Sequence, residues 1–399
     1  MAEMRAESND RPKAAGHLSR ALEWAWRRGF ATRPLMEAQS IVAAAERRTE
    51  ARARNGPWRG RLEVLCESLR TEADLNSFGH TLAYGQLVKL VAARARSDRL
   101  TAKHPAIAEI PVSRPLLVVG QMRSGTTRVH RLLACDPQFE VNRLYDQLDP
   151  VPYEGVDLRW PRAAFASRFL KAMDPALAST HPVSSGEPEE DFGFQAFSIW
   201  GAQFEGQWRV PSFVRHIEGA DPSDAYAEFR LLLQIHKFAR KSDQNRCWLL
   251  KAPQFAQDLD AVLSEFPDAQ LVVLRRDPAE VIASSASLVW HHVRLMSDSI
   301  TPEEIGHEWL RKARLRAKRM EDALRRHPNV ARVELGYAEV SNDWRRSMAK
   351  IYAMIGSPLE GQVERKMERF LKRSVAHQGH RYRPADFGLN ATRIAEELA

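Results

Sequence analysis

The chain has 399 residues, 59 Lys and Arg against 51 Asp and Glu, a formal net charge of +8, and 44% hydrophobic residues. No apolar run approaches the ~18 residues of a membrane span, and the polar start (M-A-E-M-R-A-E-S-N-D-R-P-K) has no signal-peptide core. Three cysteines far apart in sequence (Cys66, Cys135, Cys247) form neither a metal-ligand pattern nor a disulfide framework. These features predict a cytoplasmic protein with no integral membrane association, large enough for one sizeable core or two smaller ones.

Residues 1 to 16 read as a disordered N-terminus. Residues 17 to 110 read as a helical region, Ala- and Arg-rich, broken at Gly29, Pro34 and Asn55-Gly56-Pro57. Leu62, Leu65, Cys66 and Leu69 form one amphipathic stripe, and Leu82, Leu87, Leu90 and Val91 another. No chemistry is evident there. The region is expected to be a packing cap with a part in forming a homodimer. The alternate prolines from Pro105 to Pro115 read as a linker into a domain over 111–399.

That domain opens on R-P-L-L-V-V-G-Q-M-R-S-G-T-T-R-V-H-R-L-L. Leu116 to Val119 read as a buried strand. A tight loop follows from Gly120 to Gly125, and then a helix with Val129, Leu132 and Leu133 on one stripe. Strand, loop and helix N-terminus in this order make an anion site, because loop N–H groups and the helix dipole both favour negative charge. The glycines have the spacing of a phosphate-binding G-x-x-x-x-G loop, but Thr126 and Thr127 follow where a nucleoside-triphosphatase needs Lys and then Ser or Thr. The nearest cation is Arg123, inside the loop.

Asp136-Pro137 ends the loop helix. An insert at about 145–245 follows, with Asp146 in R-L-Y-D-Q-L-D-P and H-P-V-S-S-G-E-P-E-E-D from His181 onward. Its aromatic run (Phe192 to Trp200, then Phe204 and Trp208) suits an apolar acceptor pocket and helix packing equally. Next come the strand of R-C-W-L-L-K-A-P, ending at Lys251, and a strand over Leu271 to Leu274. Asp277 then N-caps a helix that has Pro278 in its first turn. Strands alternating with helices argue for an α/β fold, a mostly parallel sheet with helices on both faces. Arg311 to Arg319 read as a solvated helix face, with no aromatic-and-basic signature of nucleic-acid binding beside them.

The loop Gln121-Met122-Arg123-Ser124-Gly125-Thr126-Thr127 resembles the 5′-phosphosulfate loop of sulfotransferases that use 3′-phosphoadenylyl sulfate (PAPS), roughly P-[KR]-S-G-T-T. Three further segments match that family in order. Arg276 and, eight residues on, Ser284 have the spacing of its 3′-phosphate site. Lys251 takes the position of the lysine that leads into the transfer site. Tyr337, in V-E-L-G-Y-A-E, takes that of the tyrosine that touches adenine. The stretch from Gly379 to Leu389 is similar to the closing segment of a bacterial branch that has a helical N-terminal region, which implies that His380 and Arg381 approach the 3′-phosphate.

The resemblance implies a P-loop-like α/β fold and metal-independent sulfuryl transfer from PAPS to a hydroxyl or amine of a small molecule or glycolipid. Arg123, Ser124, Gly125, Thr126 and Thr127 would hold the 5′ side. Arg123 and Lys251 would balance the charge that develops. The catalytic His of cytosolic members falls at Pro253, so another base is needed. Asp146 stands where the bacterial branch has Glu, with a turn-capping role as the alternative; Glu189, Glu190 and His181 are rivals. Two other functions stay open from the residues alone: a kinase or nucleotide hydrolase with a degenerate phosphate loop, and a non-catalytic nucleotide or nucleic-acid binder.

Overall fold

Alternation along the strands fixes the layers. The computed structural model describes residues 12–174, 185–243, 245–374, 383–390, 392, 394 and 396. Five strands, β1 (Leu116–Gly120), β2 (Phe139–Glu140), β3 (Cys247–Lys251), β4 (Gln270–Arg275) and β5 (Arg332–Gly336), pair in the order β2-β3-β1-β4-β5, every pair parallel. Leu117, Val119, Leu250, Leu271 and Val273 point into one apolar core, whereas Leu116, Val118, Leu249, Val272 and Leu274 point into another. In the three central strands β3, β1 and β4 both faces are buried, which is why their middles are unbroken apolar runs.

On the first face lie α11 (Ser223–Arg240) and α12 (Leu259–Glu265), through Phe229, Leu232, Leu233 and Val262. On the second lie α5 (Thr126–Leu133) and, after the short α15 (Tyr337–Asn342), α16 (Trp344–Ile355), through Val129, Leu132, Leu133, Met348 and Ile351. Two long helices, α13 (Pro278–Met296) and α14 (Pro302–Arg326), pack on each other, and Phe387 and Leu389 of the C-terminal stretch seal their seam. Asp277 caps α13 by accepting from the Ala279 N–H at 2.8 Å, with Pro278 at its first position.

The N-terminal region supplies α1 (Lys13–Arg27), α2 (Ala38–Thr49), α3 (Trp58–Thr71) and the 27-residue α4 (Ser77–Lys103). The first helix begins at Lys13, inside the stretch expected to be disordered. A 3₁₀ turn, Pro105–Glu109, stands within the expected linker. The insert adds α6 (Leu144–Leu148), α7 (Arg159–Met173), α8 (Phe192–Phe197), α9 (Ala202–Gln207) and α10 (Pro211–Gly219). Leu62, Leu65 and Leu87 share one core with Trp200, Phe204, Trp208 and Phe213, so cap and insert form one body. The aromatic run is buried in packing: Trp200, Phe204 and Trp208 are each at most 1% exposed.

Arginines bind this body together. Arg61 donates to the Ser198 carbonyl at 2.9 Å and grips both oxygens of Asp224 at 3.0 and 2.7 Å. Arg94 pairs with Glu228, and Arg96 with Asp149. The basic run on α14 is only partly solvated. Lys312 and Arg316 are buried, and with Arg311 they pair with Glu218 and Glu205 of the insert. Cys66, Cys135 and Cys247 are free thiols; burial pushes that of Cys66 up to about 12.

Gly193 allows α8 to lie against α6: a Cβ there would stand 1.9 Å from the Gln147 carbonyl oxygen. Gly193→Ala is therefore expected to destabilise the fold by about 1–3 kcal/mol, read as a lower urea midpoint at unchanged m-value.

Candidate active site

Three adjacent strands, β3, β1 and β4, end at the same edge of the sheet, and each delivers a cation there. After β1 the chain turns through Gly120 to Gly125. A Cβ on Gly120 would stand 2.7 Å from Ser124 Oγ and 2.9 Å from the Leu274 carbonyl oxygen, so only glycine fits. The buried Ser124 hydroxyl donates to the Gln121 carbonyl at 2.6 Å, closing the turn. Gly125 has φ +94° and Arg123 has φ +68°, a left-handed backbone that a non-glycine residue adopts only when its surroundings enforce it.

The second corner follows β4. Its two arginines part: Arg275 pairs with Glu321 and Glu334, while Arg276 turns to the loop. Arg276 Nη1 donates to the Arg123 carbonyl at 2.8 Å, and its guanidinium lies 4.0 Å from the Tyr337 ring centroid. Arg123 Nε donates in turn to Ser284 Oγ, on α13, at 2.9 Å. Tyr337 stands against Gly125, where a Cβ would meet its Cδ2 at 2.9 Å. The two corners thus form one cluster. Glu280 holds the other edge of the Arg276 guanidinium at 2.8 Å.

The third cation is Lys251, 1% exposed. Its Nζ donates to Thr127 Oγ1, on the first turn of α5, at 2.9 Å and pairs with Glu190. Thr126 is buried beside the loop. Glu189 is buried and faces Arg131 at 3.6 Å. Asp146 is fully buried: its oxygens accept from the Arg143 N–H at 2.9 Å, Arg159 at 3.2 Å and Arg240 at 2.7 Å. It closes a capping box on α6. His181, His380 and Arg381 lie outside the described residues. Among the described residues no group of His, Cys, Asp and Glu is arranged to hold a metal ion, and no helix is long and apolar enough to cross a membrane.

Two buried groups escape the sequence reading. Asp191 follows the Glu189-Glu190 pair and precedes α8, where it looks like an ordinary N-cap. Its side chain instead accepts the Lys251 N–H at 2.7 Å and Asn142 Nδ2 at 2.8 Å, while its own N–H donates to the Lys251 carbonyl at 2.8 Å. This clip fastens the insert to the end of β3 and brings Glu190 to Lys251. His130, on α5, is buried, and desolvation with the nearby Lys251 charge drives its imidazole down to about 3, so it stays neutral.

A parallel sheet with a glycine-bounded loop after its central strand and a second arginine corner beside it is an α/β architecture of the P-loop-like type. Residues 115–361 match the model of the sulfotransferase family, and the chain belongs to that family. It is 25% identical over 183 residues to the omega-hydroxy-beta-dihydromenaquinone-9 sulfotransferase Stf3 of Mycobacterium bovis and of Mycobacterium tuberculosis. That match spans 44% of this chain and 45% of the relative, so less than half of the curated protein is represented. The crystal structure of sulfotransferase STF1 from M. tuberculosis H37Rv superposes with a TM-score of 0.80 at 23% identity, over 92% of this chain and 99% of that one. Sulfotransferase STF9 from Mycobacterium avium does so with a TM-score of 0.80 at 23% identity, over 91% and 95%. These two share the fold, helical N-terminal region included.

Burial lifts the Asp191 carboxyl to about 7 from an ordinary value of 3.8. The folded chain holds that proton more tightly than the unfolded one, so the linked stability is full below pH 3.8 and is lost as pH rises through about 7. In Asp191→Asn this component of the stability–pH curve is expected to vanish, leaving a flatter profile across that window in urea titrations.

Proposed function

We propose that the chain transfers the sulfuryl group of PAPS to a hydroxyl on a lipid-like acceptor. The observation that carries this reading is the joining of the Arg123 and Arg276 corners through a 2.8 Å hydrogen bond and Ser284. One compact cationic cluster of this kind suits a nucleotide phosphorylated at both 3′ and 5′ positions. Arg276 and Ser284 take the 3′-phosphate. The N–H groups of the loop and first turn of α5, with Ser124, Thr126 and Thr127, take the 5′ side. Tyr337 lies beside the adenine. His380 and Arg381 are assigned to the 3′-phosphate on the resemblance alone.

The donor is already an activated anhydride, so catalysis is mainly alignment and charge balance. The acceptor oxygen forms a bond to sulfur in line with the bond that breaks. Adenosine 3′,5′-bisphosphate leaves with that electron pair, and Lys251 and Arg123 offset the charge on the departing oxygen. The acceptor's proton goes to Glu190, which Asp191 and Lys251 hold at the end of β3. Glu190 is preferred for its place on Lys251 at the end of β3, whereas Asp146 is enclosed in the α6 capping box by two arginines and a backbone N–H and Glu189 faces Arg131 on α5. The lipid-like acceptor is supported by the activity named for the partial relative.

Calorimetry with adenosine 3′,5′-bisphosphate tests the donor site. Arg276→Ala is expected to weaken the bisphosphate by about 10- to 100-fold, the scale of a lost charge-assisted hydrogen bond, and adenosine 5′-monophosphate hardly at all; equal losses would remove the 3′-phosphate role. Glu190→Gln is expected to lower kcat by about 10²- to 10⁴-fold with bisphosphate affinity nearly unchanged, measured as sulfate transfer to lipid and phenolic alcohols. Undiminished turnover would return the base to Asp146 or Glu189.

A further inference from the structure

Helix α7 is apolar on both sides. Its inner side packs Phe169, Leu170 and Met173 against the N-terminal body, and Ala163 is buried. Its outer side, with the turn before it, exposes Val156 (80%), Leu158 (45%), Trp160 (55%) and Phe165 (72%). A patch of this kind on a water-facing surface calls for a partner.

The charges around it select one. Arg162, Arg168 and Lys171 are exposed and have no ion pair among the described residues. The neighbouring acids are already paired, Glu154 with Lys103 at 2.7 Å and Asp157 with Arg159 at 2.8 Å. The face is left cationic, with aromatic rings among the cations. That is the composition of a segment lying in a membrane interface, with rings at headgroup depth and cations on anionic lipid.

The face is also tied to the segment that carries Glu190. Arg159, on α7, holds Asp146. Trp160 Nε1 stands 3.6 Å from where a Cβ on Gly186 would lie, and Glu190 is four residues farther along that segment.

We propose that Val156 to Lys171 form a docking face for an anionic bilayer, from which a lipid-like acceptor reaches the Glu190 side of the site. The acceptor clause rests on the function proposed above; the docking itself does not.

Sedimentation of the full chain with phosphatidylcholine vesicles, with and without phosphatidylglycerol, tests it. The wild-type chain is expected to bind both, and the anionic vesicles more tightly. Trp160→Ser with Phe165→Ser should weaken both by at least about 10-fold, from the apolar area withdrawn. Arg168→Gln with Lys171→Gln should weaken only the anionic binding, by about 25-fold at roughly fivefold per cation. No wild-type capture, or capture that neither pair of substitutions alters, overturns the proposal. So does self-association that the serine pair abolishes in the absence of vesicle capture, which would assign the face to a second copy. Bisphosphate binding by the same preparations keeps the two readings apart: capture without it sinks the proposed PAPS donor site alone, and binding without capture sinks the docking face alone.

Discussion

The site depends on bringing like charges together. Arg123 stands more than a hundred residues before Lys251 and Arg276 in the chain, yet an all-parallel sheet ends its strands at one edge, and β3, β1 and β4 are neighbours there. The repulsion is managed locally. Arg276 donates to a carbonyl of the loop, Arg123 to a serine on α13, and Lys251 to a threonine and a glutamate. The left-handed backbone of Arg123 is part of the same arrangement: it turns the carbonyl that Arg276 grips. An edge built this way is complementary to an anion with several charges before any ligand arrives.

Much of this was legible in the sequence because short apolar runs and glycine spacing act locally. The strands over Leu116 to Val119 and Leu271 to Leu274, the loop between Gly120 and Gly125, and the Asp277 cap each follow from a few contiguous residues. The in-order match of four segments gave the fold. Asp191 was hidden for the opposite reason. Before a helix an aspartate reads as a cap, and only the three-dimensional approach of the insert to β3 turns its carboxylate toward the Lys251 backbone. The Asp146 environment was equally invisible, since Arg159 and Arg240 reach it from two separate helices.

In the sequence the N-terminal region is chemically silent, and its arginines carry no assignment. Arg61, Arg94 and Arg96 instead face inward and pair with acids of the insert and of the turn that follows α6. Periodicity assigns a charged residue to water, so a buried guanidinium contradicts the pattern unless its partner is known. Removing one member of such a pair strands the other in a low-dielectric interior, which is far more damaging than losing a surface ion pair. The run on α14 follows the same logic through Glu205 and Glu218, and it joins the second long helix to the insert.

The shared core of cap and insert redraws the autonomous folding unit. The family match begins at residue 115, at the edge of the first strand, but Leu62, Leu65 and Leu87 lie against Trp200, Phe204 and Phe213, and the Asn76 N–H donates to the Met296 carbonyl at 3.0 Å. A fragment cut where the family match begins would bare the inner surface of the insert, the same element that carries Glu190 and Asp191. The helices ahead of the sheet are thus the back wall of the half that carries the arginine cluster and Glu190, inseparable from it although they supply none of the site residues proposed above.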